Sequence, residues 1–73
     1  MRLDHDQRAD AVYVTMLPDI AWDHQVRLDP RRIVDYGIDG RVIGIELLGV
    51  HLGVDVEGLP NATWLAKELG KHE

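Results

Sequence analysis

The chain has no cysteine, no serine and no phenylalanine. Without cysteine there is no disulfide, no thiolate metal site and no thiol nucleophile, and the chain suits a reducing compartment. Without serine, a serine nucleophile is excluded as well. No run of about 18 apolar residues occurs, so no membrane-spanning helix is expected. Met1-Arg2-Leu3-Asp4-His5-Asp6-Gln7-Arg8 lacks the apolar stretch of a secretory leader, which makes the cytoplasm the expected location. Basic residues are few: 8 Lys and Arg stand against 13 Asp and Glu, a net charge of −5. Nucleic-acid binding draws on a basic footprint that displaces phosphate counterions. Arg31-Arg32 is the one basic cluster, with Arg27 and Arg41 apart from it, and it reads as solvated turn residues. No nucleic-acid partner is expected; the acidic balance favours a basic protein partner or plain solubility. No dinucleotide or P-loop glycine pattern is present, and no cofactor is expected.

At 73 residues the chain has room for one domain, residues 1–73. A domain of this size buries only about 60% of its unfolded surface. Small folds add a staple, a disulfide, a metal or a partner chain; with disulfides and thiolate metal sites excluded, self-association or a partner is the expected one.

The apolar pattern is that of strands. Leu3 to His5 can form a first short strand. Ala11-Val12-Tyr13-Val14-Thr15-Met16-Leu17 is rich in β-formers with both faces partly apolar, which predicts a central strand. Pro18-Asp19 ends it. Ile20, Trp22, His24, Val26 and Leu28 alternate with polar residues and are expected on one strand face. Asp29-Pro30-Arg31-Arg32 is a turn, and Ile33-Val34-Asp35-Tyr36 the next strand. Gly37-Ile38-Asp39-Gly40 contains the Asp-Gly pair that hairpins favour, and Arg41 to Leu48 returns. Val50 to Val56 alternates too, but its glycines leave strand and loop both open. Asn61 is a plausible N-cap for a short helix with an apolar stripe of Trp64, Leu65 and Leu69. Gly70 is its expected stop, with Lys67, Lys71 and His72 suited to its C-terminus. The expected fold is α+β: a small antiparallel β-meander of four to five strands with one short C-terminal helix.

Ala9-Asp10-Ala11-Val12-Tyr13-Val14, together with Ile33-Val34-Asp35-Tyr36 and Asp39-Gly40-Arg41-Val42-Ile43-Gly44-Ile45-Glu46-Leu47-Leu48, resembles the bacterial domain-of-unknown-function family numbered 2283. The resemblance covers residues 3–49. It departs at Leu3-Asp4-His5-Asp6, where the family often has Tyr-Asp-Pro, and at Gly37, where an acidic residue is usual. It leaves residues 50–73 as an extra strand or loop plus the helix. The resemblance implies a small antiparallel sheet and an antitoxin or immunity role, and it transfers no catalytic residue.

Asp35, Tyr36 and Glu46 stand in the matching stretches and form a candidate functional face. Two carboxylates on adjacent strands can bind a cation or divide acid and base roles. A solvated hairpin face is the plainer reading. Asp4-His5-Asp6 has the residue types of a metal site. Zinc needs three or four converging ligands, though, and His24, His51 and His72 lack a helical spacing, so no metal is expected. His24, beside Trp22 and Val26, reads as a core or interface histidine. Trp22, His24, Val26, Trp64, Leu65 and Leu69 are the candidate interface. The leading expectation is therefore a protein-interaction module, homodimeric and antitoxin-like. A small-ligand or metal-ion binder using the Asp35/Glu46 face is the alternative. No residues point to an enzyme.

Overall fold

The computed structural model describes residues 1–70, so Lys71 and His72 lie outside the described residues. Five strands form one antiparallel sheet: β1 Arg2–Asp6, β2 Ala11–Thr15, β3 Trp22–Asp29, β4 Arg32–Gly37 and β5 Val42–Leu48. A 3-10 turn at Val50–Leu52 and helix α1, Ala62–Gly70, complete the expected α+β arrangement. The spatial order is β1-β2-β5-β4-β3. Short turns pair β1 with β2 and join β3, β4 and β5 in sequence. The step that departs from sequential pairing is β2 to β3. Their connection carries β3 to the far edge, and β5 returns to lie against β2.

Local chemistry shapes the tight turns. In the β1–β2 turn, the Asp6 carboxylate accepts from the backbone N–H groups of Arg8 and Ala9, both at 3.1 Å, an aspartate mimicking a backbone turn. The β4–β5 hairpin closes around Ile38-Asp39-Gly40. Gly40 N donates to Gly37 O (3.0 Å) and Gly37 N to Arg41 O (2.9 Å). Gly40 takes a φ of 84°, whereas Asp39 is not among the positive-φ residues. This is a three-residue loop ending in a left-handed glycine, rather than a two-residue primed turn.

One face of the sheet carries the core. Val12, Val14, Met16, Val34, Ile45 and Leu47 meet Leu59 and Leu65, which come from the segment after β5. β2 lies inside the sheet as its two-sided apolar pattern predicts, and Val14 is fully buried. Residues 53–60 cross in irregular conformation and are held by Arg32. Its guanidinium donates to the carbonyls of Asp55 (3.1 Å) and Glu57 (2.7 Å) while pairing with the Asp29 carboxylate.

The alternation over Val50–Val56 does not make a strand. β5 is flanked on both sides, by β2 and β4, so the chain leaving it finds no neighbouring edge. Asp10 captures it instead, accepting from Val50 N at its carbonyl (3.2 Å) and from His51 N at its carboxylate (3.0 Å). Val54 and Val56 then pack on the core as loop residues. The Asn61 carbonyl accepts the first helical bond, from Leu65 N (2.9 Å), but Asn61 has a φ of 57° and its side-chain amide turns to Met16 Sδ (3.9 Å).

Candidate functional site

The face of the sheet opposite the helix is organised around Asp35. In the middle of β4, Asp35 sits opposite Gly44 of β5 and Gln25 of β3. It is the one buried charged residue of the described chain, 6% exposed. Burying a carboxylate is costly unless donors surround it. Three do: Tyr13 Oη at 3.0 Å, Trp22 Nε1 at 3.2 Å and Gln25 Nε2 at 3.4 Å. They come from β2 on one side and β3 on the other, so one carboxylate ties together strands that are not neighbours.

A glycine in β5 makes room for the Tyr13 ring. A Cβ on Gly44 would lie 2.2 Å from Tyr13 Oη, so the Tyr13 side chain crosses β5 directly over this residue. Trp22 stands opposite Gly37. The register places Glu46 beside Tyr13 and Ile33, on the same face as Asp35. Asp4, opposite Tyr13, shares this face too. Burial raises the Tyr13 phenol to about 12, helped by its hydrogen bond to Asp35 and by the charges of Asp35 and Glu46.

That shift makes a pH prediction. Unfolded tyrosine ionises near 10. Between about 10 and 12 the unfolded chain has lost the Tyr13 proton while the folded chain keeps it, so stability falls as the pH rises through this window. Below pH 10 both states hold the proton and Tyr13 contributes no pH dependence. The urea midpoint of the wild type is expected to drop from pH 9.5 to pH 11.5 by more than that of Tyr13→Phe. Equal drops would show that Tyr13 titrates normally.

The candidate residues divide between locations. Asp35 and Glu46 share the helix-free face, but Asp35 is buried and hydrogen-bonded and Glu46 half-buried. Tyr36, adjacent in β4, falls on the helix face, where it packs against the core and stacks on His24 with ring centroids 5.0 Å apart. Trp22 does not share a face with His24 and Val26, contrary to the strict alternation of Ile20 to Leu28. The register shifts between Trp22 and His24, which lets the Trp22 indole and the Gln25 amide both reach Asp35. Leu65 is fully buried within the chain and is a core residue, so it is withdrawn from the interface. Trp64 and Leu69 are half-buried against the same core. Asp4-His5-Asp6 does not converge: Asp4 and Asp6 stand opposite Tyr13 and Ala11, and His5 opposite Val12 on the other face. Among the described residues, no three His, Asp or Glu side chains come together as a metal site.

Tyr13, Gln25 and Gly44 were not singled out from the sequence. A glycine inside a strand is the available signal, since it marks a close approach of some other group. A second feature is a recess of about 680 Å³ between the helix and the β1–β2 end of the sheet, with His5, Asp10 and His51 at its polar side and Val12, Val54 and Leu69 among its apolar lining. There His51 bonds the Asp10 carboxylate through Nδ1, which lowers the Asp10 pKa.

A five-stranded antiparallel sheet with one helix-covered face and a buried, aromatic-braced carboxylate on the other defines a small α+β protein. The chain belongs to the family described as protein of unknown function DUF2283, whose family model matches residues 2–51. Comparison with curated proteins and with solved structures returned no match. No helix among the described residues is long and apolar enough to cross a membrane.

Proposed function

We propose that this protein is a protein-interaction module that accepts another polypeptide along the edge strand β3, and that its first occupant is a second copy of itself. The observation that carries the reading is the exposure of β3. Every residue from Trp22 to Leu28 is exposed, with Trp22 at 57%, Val26 at 40% and Leu28 at 46%. A strand eight residues long with apolar side chains and one unpaired backbone edge is a template for pairing. The other edge, β1, is five residues long and carries Arg2, Asp4 and Asp6, charges of the kind that discourage pairing. The acidic balance fits a basic protein as the occupant in the cell, neutralised in an antitoxin-like manner, and the absence of cysteine fits a bacterial cytoplasm.

A small cation or ligand at the Asp35/Glu46 face is the second reading, resting on a buried carboxylate beside two aromatic rings. Asp35 already accepts from three side chains, which makes it a structural brace and leaves β3 with the stronger case.

Sedimentation equilibrium from about 1 to 100 μM, a range in which even weak specific dimers populate, tests the reading. The wild type is expected to show a monomer–dimer equilibrium. Val26→Lys, a gatekeeper charge on the exposed strand, should weaken it at least about tenfold while the circular dichroism stays unchanged. A dimer indifferent to Val26→Lys would move the interface away from β3.

A further inference from the structure

We infer that the recess between α1 and the β1–β2 end of the sheet is a binding site for a small apolar carboxylic acid, with its head at His5 and His51 and its hydrocarbon body against Val54, Val56 and Leu69. The inference goes beyond the interaction reading above. β1 and β2 form one side of the sheet and β3 is the opposite edge, so a partner on β3 leaves the recess open.

His5 and Val12 are paired across β1 and β2 and share the helix face. Val12 is 3% exposed, whereas His5 is exposed, so the cover over the sheet ends between these two strands. The space left there is about 680 Å³, within the range of about 300–1,000 Å³ that small-molecule sites occupy. Val54, Val56 and Leu69 pack against the core but are only half-buried, and each lines the recess. Their remaining apolar surface rewards a hydrocarbon body that displaces water from it.

The polar end sets the class of the head group. Asp10 accepts from His51 N with one oxygen and bonds His51 Nδ1 with the other. The bond from the His51 side chain lowers the Asp10 pKa, and an ionised carboxylate can only accept. The Nδ1 proton therefore sits on His51, and Nε2 is the nitrogen that remains for a ligand. His5, whose charge also favours the ionised Asp10, adds a second imidazole at this end. A carboxylic acid suits an imidazole in either protonation state. A neutral Nε2 accepts the acid's O–H, and a protonated one donates to its carboxylate. An ammonium would have only a neutral imidazole to donate to, since both Asp10 oxygens are already engaged by His51. The carbonyls that end α1 at Gly70 repel an anion, so the head lies at the histidines and the body runs toward Leu69.

Titration of the full chain with octanoate, 1-octanol and octylamine near neutral pH, followed by amide and imidazole NMR, tests the site. Octanoate should bind with a Kd on the order of 0.1–1 mM, as a ligand of its size can. It should bind at least about tenfold more tightly than the alcohol or the amine, because the charge-assisted bond is the stronger one. The shifts should centre on Val54, Leu69 and the His51 ring. Ala66→Trp, which fills the recess from the exposed side of α1, should abolish binding. His5→Ala and His51→Ala should each weaken octanoate at least about fivefold and leave 1-octanol unchanged. Circular dichroism and melting curves report whether each variant keeps the fold. Should His51→Ala lose it, His5→Ala and Ala66→Trp still decide. Equal affinity for octanoate and 1-octanol, or tighter binding of octylamine, overturns the acid head. No saturable octanoate binding below about 5 mM, or binding that Ala66→Trp leaves intact, overturns the site.

Discussion

Leu65→Ala is expected to remove about 3 kcal/mol of stability, within the range of about 2–5 kcal/mol for truncating a buried leucine. Leu65 is completely buried and is the one buried residue of a nine-residue helix. Isolated helices of that length are not stable in water, so α1 exists because Leu65 docks it on the core cluster that includes Val12, Val14, Ile45 and Leu47. A domain of this size holds roughly 4–11 kcal/mol in total. The substitution therefore takes a large share of the whole. Urea unfolding should show the midpoint falling sharply, with the helical circular dichroism lost no later than the sheet signal. A loss under about 1 kcal/mol would mean that residues 53–60 cover the core without the helix.

Gly44→Val carries the second large effect, and its sign opposes strand propensity. Valine for glycine in a strand ordinarily gains up to about 1 kcal/mol. At this position the added Cβ would meet Tyr13 Oη at 2.2 Å, Tyr13 Cζ at 2.8 Å and the Val14 carbonyl at 3.1 Å. The tyrosine can swing outward, because its ring is partly exposed, but Asp35 then keeps its burial and loses a donor. Leaving a buried group short of a partner costs about 1–3 kcal/mol, and more when it is charged. A net loss of about 2–3 kcal/mol is expected in thermal or urea unfolding. The emission of Trp22, which donates to the same carboxylate, should shift as well. In a Tyr13→Ala background the same substitution should cost markedly less, a non-additivity that identifies the clash. If the two losses simply add, Tyr13 is not what Gly44 makes room for.

Both substitutions probe tertiary contacts that the sequence marks only indirectly. Asp35 reads from its strand as one of several polar residues on a hairpin. Its burial depends on Tyr13 and Trp22, distant along the chain and brought to its two sides by β2 and β3. Trp22 shows how a local rule fails. Alternation alone puts it with His24 and Val26, and a one-residue register shift, stabilised by its bond to Asp35, turns it to the opposite face. The Val50–Val56 alternation was ambiguous for a related reason. Period-two burial arises wherever a chain packs one side on a core, whether or not a ladder is available.

By itself the sequence determined most of the elements: runs of β-formers and apolar alternation for β2 to β5, the Asp-Gly loop between β4 and β5, and the apolar stripe of the helix. These depend on steric preferences within a few residues of chain. It also determined the excluded chemistry, since absent thiols and serine hydroxyls cannot be restored by folding. Only the tertiary structure decided that β5 returns to β2 rather than β3 following it, that Asp35 is buried and Tyr36 lies on the other face, and that Leu65 is core. It alone decided, too, that β3 stands uncovered at an edge. Those outcomes depend on contacts between segments far apart in the chain, where burial of the shared apolar face outweighs local preference, and no pattern within one segment records them.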